Sequence, residues 1–294
     1  MDSSLTDPAR PHWTKGHGLG NDYLVVEPAA LPPDVRLTPA SVRLICDRHL
    51  GVGGDGILEL LPPPAAPARF AVRIWNPDGS VAEKSGNGLR IFAKYLHEHG
   101  HATGERFTIA TAGGEAGVEL ALDPATARVA SVTVAMGSPT FDRRTTLLVA
   151  GQEYAVTILS VGNPHCVVVV PDLAAVPLHT LGPAIERHPA FPARTNVQFA
   201  TPASADLVHA LIWERGVGET TASGSSACAV AAACHRLGHV GRAVTVAMPG
   251  GELTVRIADD GGLWLTGPVE EVCSGHFSPD LLARLRALGE DRTG

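Results

Sequence analysis

One short pattern occurs twice in this chain, and it constrains the fold more than any other feature. Ser85-Gly86-Asn87-Gly88 and Ser223-Gly224-Ser225-Ser226 each follow a strand-forming run and each open a helix-forming run. The first helix reads through Leu89, Phe92, Ala93 and Leu96 to Gly100, the expected C′ glycine. The second is Ala-rich, runs to His235 and stops at Gly238. A helix N-terminus offers unpaired N–H groups and a partial positive charge. Two such ends facing one cleft would hold a carboxylate without an arginine. The repetition predicts two similar halves, and 294 residues suit two domains of roughly 130–150 each. The expected boundaries are 11–130 and 131–277, with 278–294 as a C-terminal helix and tail.

The remaining pattern is mixed α/β. Trp13 to Glu27 reads as a polar loop entering a strand at Tyr23–Val26. Thr38 to His49 reads as a helix, with Thr38 as N-cap and Pro39 at its first position. Strands follow at Ile57–Leu61 and Phe70–Asn76, separated by a Pro-rich surface loop at 62–67. Strands dominate from Phe107 to Val134. The second half adds strands near 155–160, 167–170, 196–200 and 208–213, and a helix near 181–188. Strands at 243–248, 253–257 and 263–267 and a helix from Pro279 close the chain. The first ten residues and the last few are expected to be mobile.

Composition excludes several classes. Net charge is −7 with no basic cluster, so no nucleic-acid partner is expected. The apolar runs at 166–170 and 227–234 fall far short of the roughly 20 residues a membrane helix needs, so no membrane partner is expected. Met1 to Lys15 lacks the apolar stretch of a signal peptide. Five cysteines without a CxxC predict free thiols in a reducing, cytoplasmic setting rather than disulfides or zinc. The 13 histidines form no close metal pattern, and no metal is expected.

Singly, the motifs have plain readings. Gly51 to Gly56 lacks the Lys-Ser/Thr of a phosphate loop. Glu214-Arg215 reads equally as a surface ion pair, Asn163-Pro164-His165 as a turn, and His165 as a structural histidine. Together they are far more specific. Gly18-Leu19-Gly20-Asn21-Asp22, Gly51-Val52-Gly53-Gly54-Asp55, Asn76-Pro77-Asp78-Gly79-Ser80, Ser85-Gly86-Asn87-Gly88, Gly162-Asn163-Pro164-His165, Asn196-Val197 and Glu214 to Thr220 occur in the order found in diaminopimelate epimerases.

The chain resembles that family from about residue 13 to 277. The resemblance implies two pseudo-symmetric domains, each a β-barrel-like sheet around a central helix, with the active site in the cleft between them. It implies a PLP-independent amino-acid epimerase or racemase, acting by two-base proton transfer at the α-carbon. The substrate would be diaminopimelate or a similar amino acid with a polar distal group. Asn76, Asn163, Asn196, Glu214 and Arg215 match the side chains that grip the distal end, and Asn21 matches a further contact. The N–H groups of Gly86, Asn87, Gly224 and Ser225 match the α-carboxylate clamp. His165 matches a histidine beside the catalytic pair. A homodimer and a cytoplasmic place in lysine biosynthesis are also implied.

The departure is chemical. The family's acid and base are cysteines, and both positions are serine here, Ser85 and Ser223. A thiol ionises near pH 8.5 and more readily at a helix N-terminus. A serine used as base needs a partner for its proton, and His165 is the family-matched candidate. Gly56 replaces a glutamine common in the family, which would enlarge the pocket. Four readings stay open: an epimerase working through serines, a related isomerase or lyase with an altered dyad, an engineered Cys→Ser pair, and a non-catalytic amino-acid-binding protein.

Overall fold

The computed structural model describes residues 11–64 and 68–290. The expected mobility of the two ends therefore concerns residues outside those described, as does part of the Pro-rich loop. The chain divides into two compact units, 1–130 with 269–294, and 131–268.

Unit 1 contains β1 (His12–Gly18), β2 (Asn21–Val26), α1 (Pro39–Cys46), β3 (Ile57–Leu61), β4 (Phe70–Trp75), β5 (Val81–Ala82), α2 (Gly86–Glu98), β6 (Arg106–Thr111) and β7 (Gly114–Leu122). Unit 2 follows with β8 (Val129–Gly137), β9 (Thr140–Val149), β10 (Gln152–Ser160), β11 (Pro164–Val169), α3 (Leu178–Glu186), β12 (Asn196–Ser204), β13 (Leu207–Glu214), β14 (Gly218–Thr220), α4 (Gly224–Arg236), β15 (Ala243–Met248), β16 (Gly251–Ile257) and β17 (Leu263–Pro268). The chain then returns to unit 1 as β18 (Glu270–His276) and α5 (Pro279–Glu290).

The units repeat one topology. In unit 1, β2 crosses over through α1 to parallel β3, β3 turns back into β4, and after α2 the chain returns as β6 parallel to β4. In unit 2, β11 crosses through α3 to parallel β12, β12 turns back into β13, and after α4 the chain returns as β15 parallel to β13. The serine-containing loop thus occupies the same place in both.

Strand alternation divides each sheet into two buried faces. In unit 1, Leu24, Ile57 and Trp75 lie in register and pack with Val42 and Ile45 of α1 and Leu282 and Leu285 of α5. The alternate set, Val25, Leu58 and Ile74, is also buried; on this face a Cβ on Gly88 of α2 would approach Leu58 to 3.0 Å. In unit 2, Cys166, Val197 and Phe199 pack with Leu178, Leu181 and Ile185 of α3, leaving His165, Val167, Asn196 and Gln198 on the opposite face. Both central helices are buried around their circumference: Gly86–Leu96 in α2, and Gly224 with Ser226–Cys234 in α4. Charged residues in α2 are answered locally, with Lys94 bonding Glu98 at 2.7 Å and the Val129 carbonyl at 2.8 Å.

Several expectations require correction. Residues 269–277, expected in the second domain, pair as β18 with β1, and α5 packs on unit 1 rather than standing apart as a tail. The edge that β1 would otherwise expose is covered by a strand more than 250 residues later, a pairing local pattern cannot reveal. The segment before Asn21 is strand β1, not loop, and β9 is a ten-residue strand with no expected counterpart. Thr140, Asp142, Arg143, Arg144 and Thr146 are all exposed, and this polar stretch with three consecutive exposed residues conceals the alternation. Helix α3 begins at Leu178, three residues early, with Pro177 as N-cap.

Candidate functional site

Ser85 is the N-cap of α2, in extended conformation, and its Oγ accepts the Gly88 N–H at 3.0 Å. The first helical bond runs from Leu89 N–H to the Ser85 carbonyl, so the Gly86 and Asn87 N–H groups precede the ladder and are available to an anion. A Cβ on Gly88 would also sit 3.2 Å from Ser85 Oγ, which accounts for a glycine there.

A polar chain leads away from this helix end. The buried Arg90 guanidinium donates to Asn87 Oδ1 at 2.8 Å, Asn87 Nδ2 donates to Asn21 Oδ1 at 3.0 Å, and Asn21 Nδ2 donates to Asp55 at 2.9 Å. Arg48 then bridges Asp55 at 2.9 Å and Asp22 at 2.6 Å, and Lys15 reaches Asp22 at 2.7 Å. Burial works against the Asp22 charge, but the Arg48 and Lys15 contacts outweigh it and hold its pKa at about 2. Asn76 closes the turn before β5, its Nδ2 donating to Ser80 Oγ at 2.9 Å.

Gly56 does not enlarge a pocket. A Cβ there would stand 2.2 Å from the Trp75 carbonyl oxygen and 2.6 Å from the Tyr23 ring. The space is filled by Tyr23, whose hydroxyl lies 3.4 Å from Ser85 Oγ.

In unit 2, Ser223 is the N-cap of α4 and is 5% exposed, but its side chain makes no cap hydrogen bond. The first helical bond runs from Ala227 N–H to the Ser223 carbonyl, leaving the Gly224 and Ser225 N–H groups ahead of it. The family-matched asparagines are held by their neighbours. Asn196 donates to the Pro164 carbonyl at 2.9 Å and accepts the Arg215 N–H at 3.0 Å. Asn163 Oδ1 meets His165 Nε2 at 2.8 Å. The loop after Glu214 is anchored by Glu186, which accepts the Gly216 N–H and the Trp213 indole N–H, both at 2.9 Å. Arg215 itself is exposed, and its guanidinium reaches the Ala193 carbonyl at 3.4 Å.

His165 is poorly suited to relay a proton. It is fully buried, and burial pushes its pKa down to about 3, with the Gln198 hydrogen bond only partly opposing this. Gln198 Nε2 lies 2.9 Å from Nδ1, so the lone pair of the neutral ring is already engaged. Cys228 cannot substitute for Ser223, because it lies fully buried inside α4.

The structure therefore joins Asn21, Gly86 and Asn87 at the helix end capped by Ser85, and joins Asn163 to His165 and Asn196 to Arg215 within unit 2. Asn76 stands in its own turn. Sequence reasoning missed Tyr23, Arg90 and Gln198. A signal for Tyr23 was present: it follows Asn21 by two residues, as His165 follows Asn163. Gln198 is likewise a polar residue within the apolar run 197–200. Among the described residues, no group of three His, Cys, Asp or Glu side chains is placed to hold a metal, and no helix is long and apolar enough to cross a membrane.

Comparison with known proteins bears on this geometry. The sequence profile described as diaminopimelate epimerase matches residues 13–141 and 157–272. A diaminopimelate epimerase of Pelotomaculum thermopropionicum is 42% identical over 90% of this chain and 98% of its own length. Diaminopimelate epimerase 2 of a Nostoc species is 41% identical over 92% of this chain and 96% of its own. Among solved structures, a probable proline racemase from Agrobacterium radiobacter K84 superposes with a TM-score of 0.70 at 17% identity, covering 92% of this chain and 93% of the other, which shows a shared fold. With a profile match across both units and relatives above 40% identity along most of its length, the chain belongs to the diaminopimelate epimerase family.

Proposed function

We propose that this protein is a PLP-independent epimerase inverting the α-carbon of diaminopimelate or a similar amino acid with a polar distal group. The observation that carries the reading is the duplicated strand–serine–helix element, in which Ser85 and Ser223 cap equivalent helices α2 and α4. The N–H groups of Gly86, Asn87, Gly224 and Ser225 would take the α-carboxylate and stabilise the enolate-like transition state. One serine would serve each face of the α-carbon, one removing a proton as the other delivers one. Asn21, Asn76, Asn163, Asn196, Glu214 and Arg215 would bind the rest of the zwitterion. The reading requires no cofactor and extends to a homodimer in the cytoplasm. The buried, reduced cysteines Cys46, Cys166 and Cys234 suit a reducing compartment.

A specific observation favours a second reading, amino-acid binding without turnover. Both helix-capping positions carry weakly acidic hydroxyls, and the histidine expected to assist them is neutral with its lone pair engaged. One experiment separates the two: incubation with L,L- and meso-diaminopimelate in heavy water, following the α-proton by NMR with chiral analysis of the product. Exchange with inversion, lost in Ser85→Ala and Ser223→Ala, is the expected result. Binding without exchange would establish the second reading.

A further inference from the structure

Gln198 matches no substrate-binding position, yet it is the hub of a buried polar network in unit 2. It lies on the α4-facing side of β12, opposite Val167 of β11, and is fully buried. Its Nε2 lies 2.9 Å from His165 Nδ1 and 3.0 Å from Ser226 Oγ, so each amide hydrogen has an acceptor. Its Oε1 is buried without a partner among the described residues. A methionine or leucine would fill a similar volume without an orphan oxygen, so packing alone does not account for an amide at this place.

We propose that Gln198 is a positioning residue that fixes the Nε2–H tautomer of His165, which in turn orients the Asn163 amide with its Nδ2 hydrogens offered to ligand. The polarity runs one way. Gln198 Nε2 can only donate, so Nδ1 is the lone-pair nitrogen and the ring proton sits on Nε2. Nε2–H then donates to Asn163, and only Oδ1 of that amide can accept. The outward edge of Asn163 is therefore a pair of N–H donors, which fits a carboxylate oxygen and disfavours an ammonium. The second hydrogen of Gln198 ties Ser226, the third residue of α4, to the same amide. One side chain thus sets the Asn163 loop and the helix end carrying Ser223. The inference rests on the proposed function only for the choice of ligand.

The test combines tautomer and affinity. In protein labelled with 15N-histidine, long-range 1H–15N correlation distinguishes protonation at Nδ1 from Nε2, and calorimetry with meso-diaminopimelate reads binding. Wild-type His165 is expected to show a pyridine-like Nδ1. In Gln198→Glu the carboxylate can only accept, so Nδ1 is expected to carry a proton, with binding weakened about tenfold or more. Asn163→Asp, whose outward edge is an acceptor, is expected to weaken binding similarly, and the double variant to add little. Gln198→Met preserves volume and removes the donor; if the glutamate variant does not fold, loss of a single fixed tautomer in this one supports the proposal. A wild-type ring protonated at Nδ1, a Gln198→Glu ring unchanged from wild type, or a tautomer switch with unchanged affinity would overturn it. If the wild type binds no diaminopimelate, diaminopimelate is ruled out as the ligand, and the tautomer switch in Gln198→Glu alone decides the positioning role.

Discussion

The Tyr23 hydroxyl lies 3.4 Å from Ser85 Oγ, while Ser85 Oγ also accepts the Gly88 N–H at 3.0 Å. The phenol stands at the position in unit 1 that His165 occupies in unit 2, two residues after an asparagine on the strand beneath the central helix. A phenol is far more acidic than an aliphatic hydroxyl. In this pair it is therefore the group better able to exchange a proton with Ser85. Replacing Tyr23 by Phe is expected to slow α-proton exchange by about 10²-fold, the lower end of acid–base contributions, while diaminopimelate affinity changes little. Exchange at the wild-type rate would mean Ser85 works without the phenol.

In the proposed mechanism the serines are the chemical weakness. A thiol at the same helix ends would ionise much more readily, both intrinsically and through the helix dipole. The double variant Ser85→Cys plus Ser223→Cys is expected to raise the exchange rate by about 10²-fold or more, with either single variant giving far less, because proton removal and delivery need both groups. Isotope exchange on all four proteins checks this. A double variant no faster than wild type would locate the deficiency elsewhere in the site.

How much could be read from residues alone differs between the fold and the site. The helices opening at Gly86 and Gly224 were legible because small residues, a capping serine and apolar spacing all agree. Strand β18 was not, and helix α5 was legible as a helix from Pro279 but not as part of unit 1, since that membership depends on pairing with β1 and packing on α1. Around His165, the neighbouring Asn163 could be named from the sequence, but the protonation of the ring could not. Whether His165 can accept a proton depends on its burial and on Gln198, which comes from a neighbouring strand. The effect of Gly56 was also hidden, because the Tyr23 ring that fills its space comes from a different strand.

Gly56 is expected to be intolerant of any side chain. A Cβ would meet the Trp75 carbonyl, a backbone atom that cannot swing aside. Gly56→Ala is expected to cost about 2 kcal/mol or more, within the range for overpacked cores, measured by urea denaturation. Gly56→Gln is expected to be at least as destabilising unless Tyr23 is made smaller. A stable Gly56→Gln would show that Tyr23 yields readily and would weaken its assignment beside Ser85.

His165 is expected not to titrate between pH 5 and 8. Burial holds its pKa at about 3, well below the ordinary 6.5. The unfolded chain takes up this proton as pH falls through about 6.5, whereas the folded protein does so only near 3, so this group makes folding less favourable progressively across that window. NMR titration of the imidazole checks it directly. A transition near 6.5 would restore the histidine as a proton carrier at neutral pH.

The Asp22 cluster gives the opposite sign of charge but the same direction with pH. Its folded pKa of about 2 lies below the ordinary 3.8, because the Arg48 and Lys15 contacts outweigh the burial that opposes them. The stabilisation is therefore fully present above about pH 4 and is lost as pH falls through about 2. Glu98 behaves alike, held at about 2 against burial by Arg128 and Lys94. Arg48 is half exposed, so solvent screening limits the Asp22 contribution to about 1–2 kcal/mol. Asp22→Asn is expected to lower stability by that amount at pH 7 and to flatten the decline between pH 4 and 2. Because Asp55 links Arg48 to Asn21, and Asn21 to Asn87, the same substitution is expected to loosen the α2 helix end and weaken diaminopimelate binding. If stability falls while binding is unchanged, the polar chain holds the fold of unit 1 without orienting the site.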